Sequence, residues 1–140
     1  MEIVTPERFR ANKNNEQRVE QPFKEVNLTP FGIDLTAGEY CVHLTKDLVI
    51  KLVSEAEVEV RPGDSVIVET EERLDVPPDW VGLIFPKRKL TEDGLFQPGG
   101  GGKVDPGWNN RLKVAFKNEG YKTIKLKRGT RICCVAFWQF

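Results

Sequence analysis

Apolar residues in this chain alternate with polar ones over short stretches, and turn-forming residues interrupt the alternation every few positions. The clearest case is residues 56–60, where Val58 and Val60 share one face and Glu57 and Glu59 the other. That is the period of a half-buried strand. Residues 65–70 follow the same rule, with Val66 and Val68 facing one way and Ile67 the other. Further strands are predicted over 31–35, 39–44, 48–53, 80–85, 111–116, 124–126 and 130–137. The breaks between them carry turn chemistry: Thr36-Ala37-Gly38, Arg61-Pro62-Gly63-Asp64, Pro77-Pro78-Asp79 and Lys127-Arg128-Gly129. No stretch keeps a helical period for more than a turn or two, the best being residues 89–93. Many short strands divided by Gly/Pro turns predict an all-β domain, a distorted barrel or jelly-roll-like structure. Residues 1–21 are polar and lack clean periodicity. They are expected to form an irregular arm, with a short helix or edge strand near Arg18 and Val19. Residues 22–140 are expected to form a single β domain.

Composition narrows the function classes. The chain has 140 residues, enough for one domain with a core but hardly for two. Lys and Arg number 21, as do Asp and Glu, so the formal net charge is zero. A protein dedicated to polymeric nucleic acid or to membrane surfaces normally carries a basic excess, so neither partner is expected. A single nucleotide held in a local pocket remains compatible. No apolar run approaches the roughly 18–20 residues that span a bilayer. The N-terminus carries charges where a signal peptide needs an apolar segment, so a cytoplasmic location is expected. The three cysteines, Cys41, Cys133 and Cys134, include no Cys-x-x-Cys pair. Cys133 and Cys134 lie in an apolar run and read as buried free thiols. The one histidine, His43, stands between Val42 and Leu44 and is expected at a surface or interface, without a catalytic role.

The most informative segment is Lys103-Val104-Asp105-Pro106-Gly107-Trp108, which follows the glycine run 99–102. A carboxylate on a tight turn, with an aromatic three residues later, suits a small ligand. Asp105 before Pro-Gly is also a common turn residue, and both readings stand at this level. Trp108 either stacks on a base or sugar, or closes the core at a hairpin. The glycine run is not a phosphate-binding Walker loop, because no Gly-Lys-Ser/Thr and no helix follow it.

Several separated motifs agree with one another. Leu28-Thr29-Pro30-Phe31-Gly32-Ile33-Asp34-Leu35, the segment 62–72, Gly94-Leu95, the Asp105 segment, and Gly129-Thr130-Arg131-Ile132 occur in a characteristic order. In that order and spacing the chain resembles the trimeric dUTPase and dCTP deaminase superfamily, on its deaminase-like branch, over roughly residues 22–137. The resemblance implies a β-clip fold, a homotrimer with active sites between subunits, and a deoxyribonucleotide ligand, dUTP or dCTP. It implies that Asp34 sits near Mg²⁺, through water. It implies that the Asp105–Trp108 hairpin holds the base and deoxyribose. Lys87, Arg88 and Lys89, with Gly94 and Arg131, take the family's nucleotide-binding positions. The terminal Trp138 and Phe140 belong either to a trimer interface or to a core strand.

The departures from the family pattern fall on its chemistry. Lys87-Arg88-Lys89 stands where the family has Arg-Ser-Ser or Arg-Ser-Gly, so the serine hydroxyls are lost. Ala115 replaces the glutamate that shuttles protons in the deaminases, and an alanine methyl moves none. Cys134 stands where a glutamine is usual, and no Gly-rich arm precedes Phe140. Deamination is therefore not expected unless Glu119 substitutes. Hydrolysis of dUTP to dUMP and pyrophosphate fits better: Asp105 would orient the water or hold the 3′-hydroxyl, and the basic loop would contact phosphates. The alternatives are an inactive relative that binds a nucleotide or a protein partner, and a purely structural β module.

Overall fold

The computed structural model describes residues 2–5, 19–20, 27–99 and 101–140. Its strands are β1 (Glu2–Ile3), β2 (Val19–Glu20), β3 (Leu28–Thr29), β4 (Gly32–His43), β5 (Leu48–Lys51), β6 (Glu57–Val60) and β7 (Ser65–Asp75). After them come β8 (Trp80–Pro86), a helix α1 (Arg88–Asp93), β9 (Leu95–Phe96), β10 (Lys103–Val104), β11 (Asn109–Asn118), β12 (Ile124–Lys127) and β13 (Arg131–Gln139). The all-β expectation holds, and α1 falls where a short helix was predicted. The main sheet runs in the order β10-β8-β13-β4-β7-β11-β9, while β12 and β6 form a separate ribbon.

Strand β4 joins the two halves of the main sheet. Its first residues pair with β13, as Asp34 with Cys134, and its last residues pair with β5 and β7, as Val42 with Val49 and Ile67. Sequence reasoning placed a turn at Thr36-Ala37-Gly38, and that expectation is overturned. The strand continues, and its register with β7 shifts between Ala37 and Cys41. Gly38 serves close approach rather than reversal. A Cβ there would lie 2.9 Å from both the Glu71 nitrogen and the Thr70 oxygen. A bulge of this kind bends a strand and lets it serve two sheets.

Alternation on β7 and β11 builds the core. Val66, Val68, Leu74, Leu112, Val114 and Phe116 point inward and are buried. The same face of β7 carries Thr70 and Glu72, also buried. The Glu72 carboxylate accepts from the Thr36 N–H at 2.8 Å and from its hydroxyl at 2.6 Å. Burial raises the pKa of Glu72, and the two Thr36 bonds oppose the rise.

Three further expectations are corrected. His43 is buried, with 1% exposure, because β4 turns Cys41 and His43 inward and leaves Leu44 outside. Its Nδ1 accepts from the Lys46 N–H at 3.2 Å, and its Nε2 lies 3.2 Å from Asp64. The second correction is at the chain's start, which was read as part of an irregular arm. Glu2 and Ile3 pair with Gln139 and Trp138, and Val4 is fully buried. A few apolar residues seat there on the last strand, a long-range contact that no local pattern signals. Near the expected element at Arg18 and Val19 lies β2, which pairs Val19 with Leu74; Arg18 lies outside the described residues. The third correction is Cys134, which is only half-buried, unlike the fully buried Cys133.

Burial pushes the Cys133 thiol far up, so it stays neutral. Replacing Cys133 by serine puts a hydroxyl in that apolar site and is expected to cost about 1–3 kcal/mol. A thermal melt reads this directly, and an unchanged midpoint would show that the site is not apolar.

Candidate functional site

The turn after β10 is closed by the Trp108 N–H donating to the Asp105 carbonyl at 3.1 Å. It is stapled to the 76–77 segment, where the Val76 N–H donates to the Trp108 carbonyl at 2.8 Å. Both candidates of this segment thus sit on a hydrogen-bonded turn that leads from β10 into β11. The Asp105 carboxylate is exposed and pairs with the Lys103 ammonium at 3.1 Å. Its expected turn role is played by its backbone carbonyl. The Trp108 indole N–H donates to the Asn110 carbonyl at 3.0 Å, and the ring stays 37% exposed. The ring therefore does not close the core.

Asp105 and Trp108 line an open cleft of about 440 Å³. Its far wall is the outward face of the sheet, which contributes Glu69, Arg111 and Lys113. None of these three was singled out from sequence. The signal was present: with Leu112, Val114 and Phe116 inside, Arg111, Lys113 and Ala115 must face out. Ala115 pairs with Ile67, Ile67 with Val42, and Val42 with Val49, so the surface beyond Lys113 is an apolar row. Glu119, considered as a stand-in for the missing glutamate, does not line the cleft. It lies past the end of β11, with its carboxylate 3.5 Å from Lys117.

The remaining candidates lie elsewhere on the chain, and none of Asp34, Lys87, Arg88, Lys89, Gly94 and Arg131 lines this cleft. Asp34 is buried on β4, and its Oδ2 accepts from the Lys87 ammonium at 2.8 Å. Its Oδ1 is buried without a hydrogen-bond partner among the described residues. The Cys134 thiol, opposite on β13, has its pKa pushed up by burial first and by the Asp34 charge second. Lys87, expected to contact phosphates, is the N-cap residue of α1 and the counter-charge of a buried carboxylate. Lys89 pairs with Asp93 at 3.2 Å one helical turn on, and both are exposed. Arg88, the first residue of α1, is exposed. Gly94 is the left-handed C-cap of the helix, with φ 111°, against Gly120. Arg131 donates its Nε to the Asn27 side-chain oxygen at 3.1 Å.

These residues do not fit a resident Mg²⁺. Magnesium prefers an octahedral shell of oxygens, and the one acidic candidate, Asp34, already holds a lysine. No group of three His, Cys, Asp or Glu side chains suited to a metal occurs among the described residues. Among the described residues no helix is long and apolar enough to cross a membrane.

The family model described as dCTP deaminase-like matches residues 3–140. A dCTP deaminase from Thermococcus kodakarensis is 33% identical over 117 residues, covering 84% of this chain and 73% of the relative. The structure of a 2′-deoxycytidine 5′-triphosphate deaminase from Agrobacterium tumefaciens aligns with a TM-score of 0.80 at 18% identity, covering 97% of this chain. This chain spans 48% of that protein's chain. A mutant dUTPase from phage phi11 of S. aureus, whose structure details the coordination of a structural Mg(II) ion, aligns with a TM-score of 0.60 at 14% identity. That match covers 89% of this chain and 86% of the phage protein's chain. The order of its motifs, its β-clip architecture and these matches agree: the chain belongs to the dCTP deaminase-like family, within the dUTPase and dCTP deaminase superfamily.

Proposed function

We propose that this protein binds a deoxyuridine or deoxycytidine nucleotide and hydrolyses dUTP to dUMP and pyrophosphate rather than deaminating dCTP. The observation that carries this reading is the Asp105–Trp108 cleft, with Ala115 on the adjoining outward face of β11. A base packs on the exposed indole, a contact of about 1–3 kcal/mol in nucleic-acid cases. The exposed Asp105 carboxylate accepts a hydrogen bond from the sugar 3′-hydroxyl or from the attacking water. Deamination needs a group that delivers protons to the ring and to the leaving ammonia. The methyl of Ala115 and its neighbours Ile67 and Val42 supply none, and the carboxylate of the cleft wall, Glu69, is the cross-strand neighbour of Lys113 rather than of Ala115.

A homotrimer belongs to the same reading. On one chain the Asp105 hairpin and the Asp34–Lys87 pair lie apart, so a site using both needs a neighbouring copy. Phe85, opposite Cys134 on β8, and Leu83 are large exposed apolar residues next to that pair. They suit coverage by a second subunit. A binding-only protein is the second reading. It is favoured by the commitment of Lys87 to Asp34 and by the absence of serine at 88 and 89.

Turnover with Mg²⁺ and either dUTP or dCTP separates these readings, with products resolved by charge and by base. dUMP from dUTP is the expected product, a deaminated product from dCTP would refute the assignment, and no product leaves the binding reading. Asp105→Ala is expected to lower dUTP turnover about 100-fold or more. Its melting point should not change, because the side chain is exposed and its lysine pair contributes little. Undiminished turnover in this variant would remove Asp105 from the mechanism.

A further inference from the structure

The Trp108 ring is fastened to the fold through the residues that follow it. Its indole N–H donates to the Asn110 carbonyl at 3.0 Å, so the ring follows the backbone of Asn109 and Asn110. That stretch is gripped from β7. The Arg73 guanidinium donates its Nε to the Asn109 side-chain oxygen at 3.2 Å and its Nη2 to the Asn109 carbonyl at 3.0 Å. A planar guanidinium that holds one residue at two points fixes orientation as well as distance. Backbone pairing alone is short here. Asn109, Asn110 and Arg111 pair with Asp75, Leu74 and Arg73, and the register then shifts before Lys113. Such a bulge disrupts the ladder locally, just where the turn enters β11. Arg73 also stands directly across from Arg111, a placement of like charges that costs stability when both face each other. The two turn apart instead. Arg111 donates its Nε to the Glu71 carbonyl at 3.2 Å, while Arg73 reaches to Asn109 beside the tryptophan.

We infer that Arg73 is a positioning residue for the bound nucleotide: through Asn109 it sets the orientation of the Trp108 indole on which the base packs. This rests on the nucleotide reading above and adds to it a residue that does not itself line the cleft. Arg73 acts through Asn109 rather than by contact with the ligand, and what it supplies is preorganisation. A ring that must first be ordered loses part of its stacking free energy to its own immobilisation. Asn110 serves the same end from the other side. Its side-chain oxygen accepts from the Arg111 N–H at 2.8 Å, which holds the peptide group whose carbonyl receives the indole.

Titration calorimetry with dUTP and fluorine NMR, both on the intact protein, test this. Arg73→Met is expected to weaken dUTP binding about fivefold, the size of ordering one side chain on binding. Arg73→Lys keeps the charge but cannot grip Asn109 at two points, and is expected to weaken binding to a similar extent. In a Trp108→Ala background Arg73→Met should change the affinity by less than about twofold, because the ring through which it acts is gone. Labelling with 5-fluorotryptophan gives resonances for Trp80, Trp108 and Trp138, and the one lost in Trp108→Phe belongs to Trp108. Arg73→Met is expected to shift or broaden that resonance and to leave the other two in place. Wild-type affinity in Arg73→Met, or an equal loss with and without Trp108, would overturn the inference while the nucleotide reading stood. An unmoved Trp108 resonance in Arg73→Met would overturn it even if Trp108→Ala bound too weakly to measure. Wild-type affinity in Arg73→Lys would show that charge alone matters and would overturn the two-point grip. Failure of the wild-type protein to bind dUTP or dCTP would sink the nucleotide reading and the inference with it, and a Trp108 resonance still sensitive to Arg73 would then mark the grip as structural only.

Discussion

Replacing Gly32 by alanine is expected to destabilise the protein by about 3 kcal/mol, near the upper end of ordinary overpacking. For a chain of this length that is a fall in melting point of about 10 °C. A Cβ on Gly32 would lie 2.4 Å from the Val135 carbonyl oxygen and 3.2 Å from the Cys134 sulfur. The first of these is backbone in β13, in the middle of the sheet, and cannot swing aside as a side chain can. Either β4 separates from β13 or the β3–β4 hairpin tilts. Both movements also displace Asp34, two residues on. The variant should therefore lose stability and disturb the Asp34–Lys87 pair together. Chemical denaturation checks the first effect, and a midpoint equal to that of the wild type would show that β13 yields at this contact.

Replacing Lys87 by methionine is expected to cost about 3 kcal/mol, because it strands the Asp34 carboxylate in the sheet. Removing one partner of a buried ion pair usually costs 3–5 kcal/mol. The lower end applies because the Lys87 side chain keeps 29% exposure while Asp34 keeps 6%. Asp34 Oδ1 already lacks a hydrogen-bond partner among the described residues, and the substitution leaves Oδ2 in the same state. The diagnostic test is rescue. Adding Asp34→Leu to Lys87→Met should restore most of the loss, since replacing both members of a buried pair by apolar residues is close to neutral. A double variant no more stable than Lys87→Met would mean that Asp34 is not the cause of the loss. The result bears on function too, because a lysine needed for folding is not free to follow a phosphate.

Local patterning was readable wherever one face of a strand is buried. The alternation of Val58 and Val60 with Glu57 and Glu59 appears in the structure as one inward and one outward face. The turn Arg61–Asp64 is also present, with the Asp64 carboxylate accepting from the Arg61 N–H at 2.9 Å. Reading failed where a distant contact overrides a local signal. Thr36-Ala37-Gly38 has turn composition, yet β7 approaches so closely that only glycine fits, and the strand runs on. His43 looked like a surface residue between two aliphatics. The inward phase of β4 is instead set by Ile33, Leu35 and Cys41, and it carries His43 inside with Asp64 beside it.

The candidate site divides along the same line. The presence of a carboxylate and a tryptophan on one tight turn, the order of the motifs and the replacement of glutamate by Ala115 are properties of covalent sequence. The chain order alone settles them. Which charges meet is not such a property. Lys87 and Asp34 are 53 positions apart, and Arg128 is 57 from Glu71, whose carboxylate it pairs with. Ion pairs across such separations form only when strand register brings the groups within a few ångströms, and register is set by core packing over the whole sheet. The sequence by itself therefore determined the family, the all-β class and the residues available for chemistry. Tertiary structure decided which of its cations are consumed by buried partners and which face the cleft, because electrostatic pairing depends on distance and burial rather than on order along the chain.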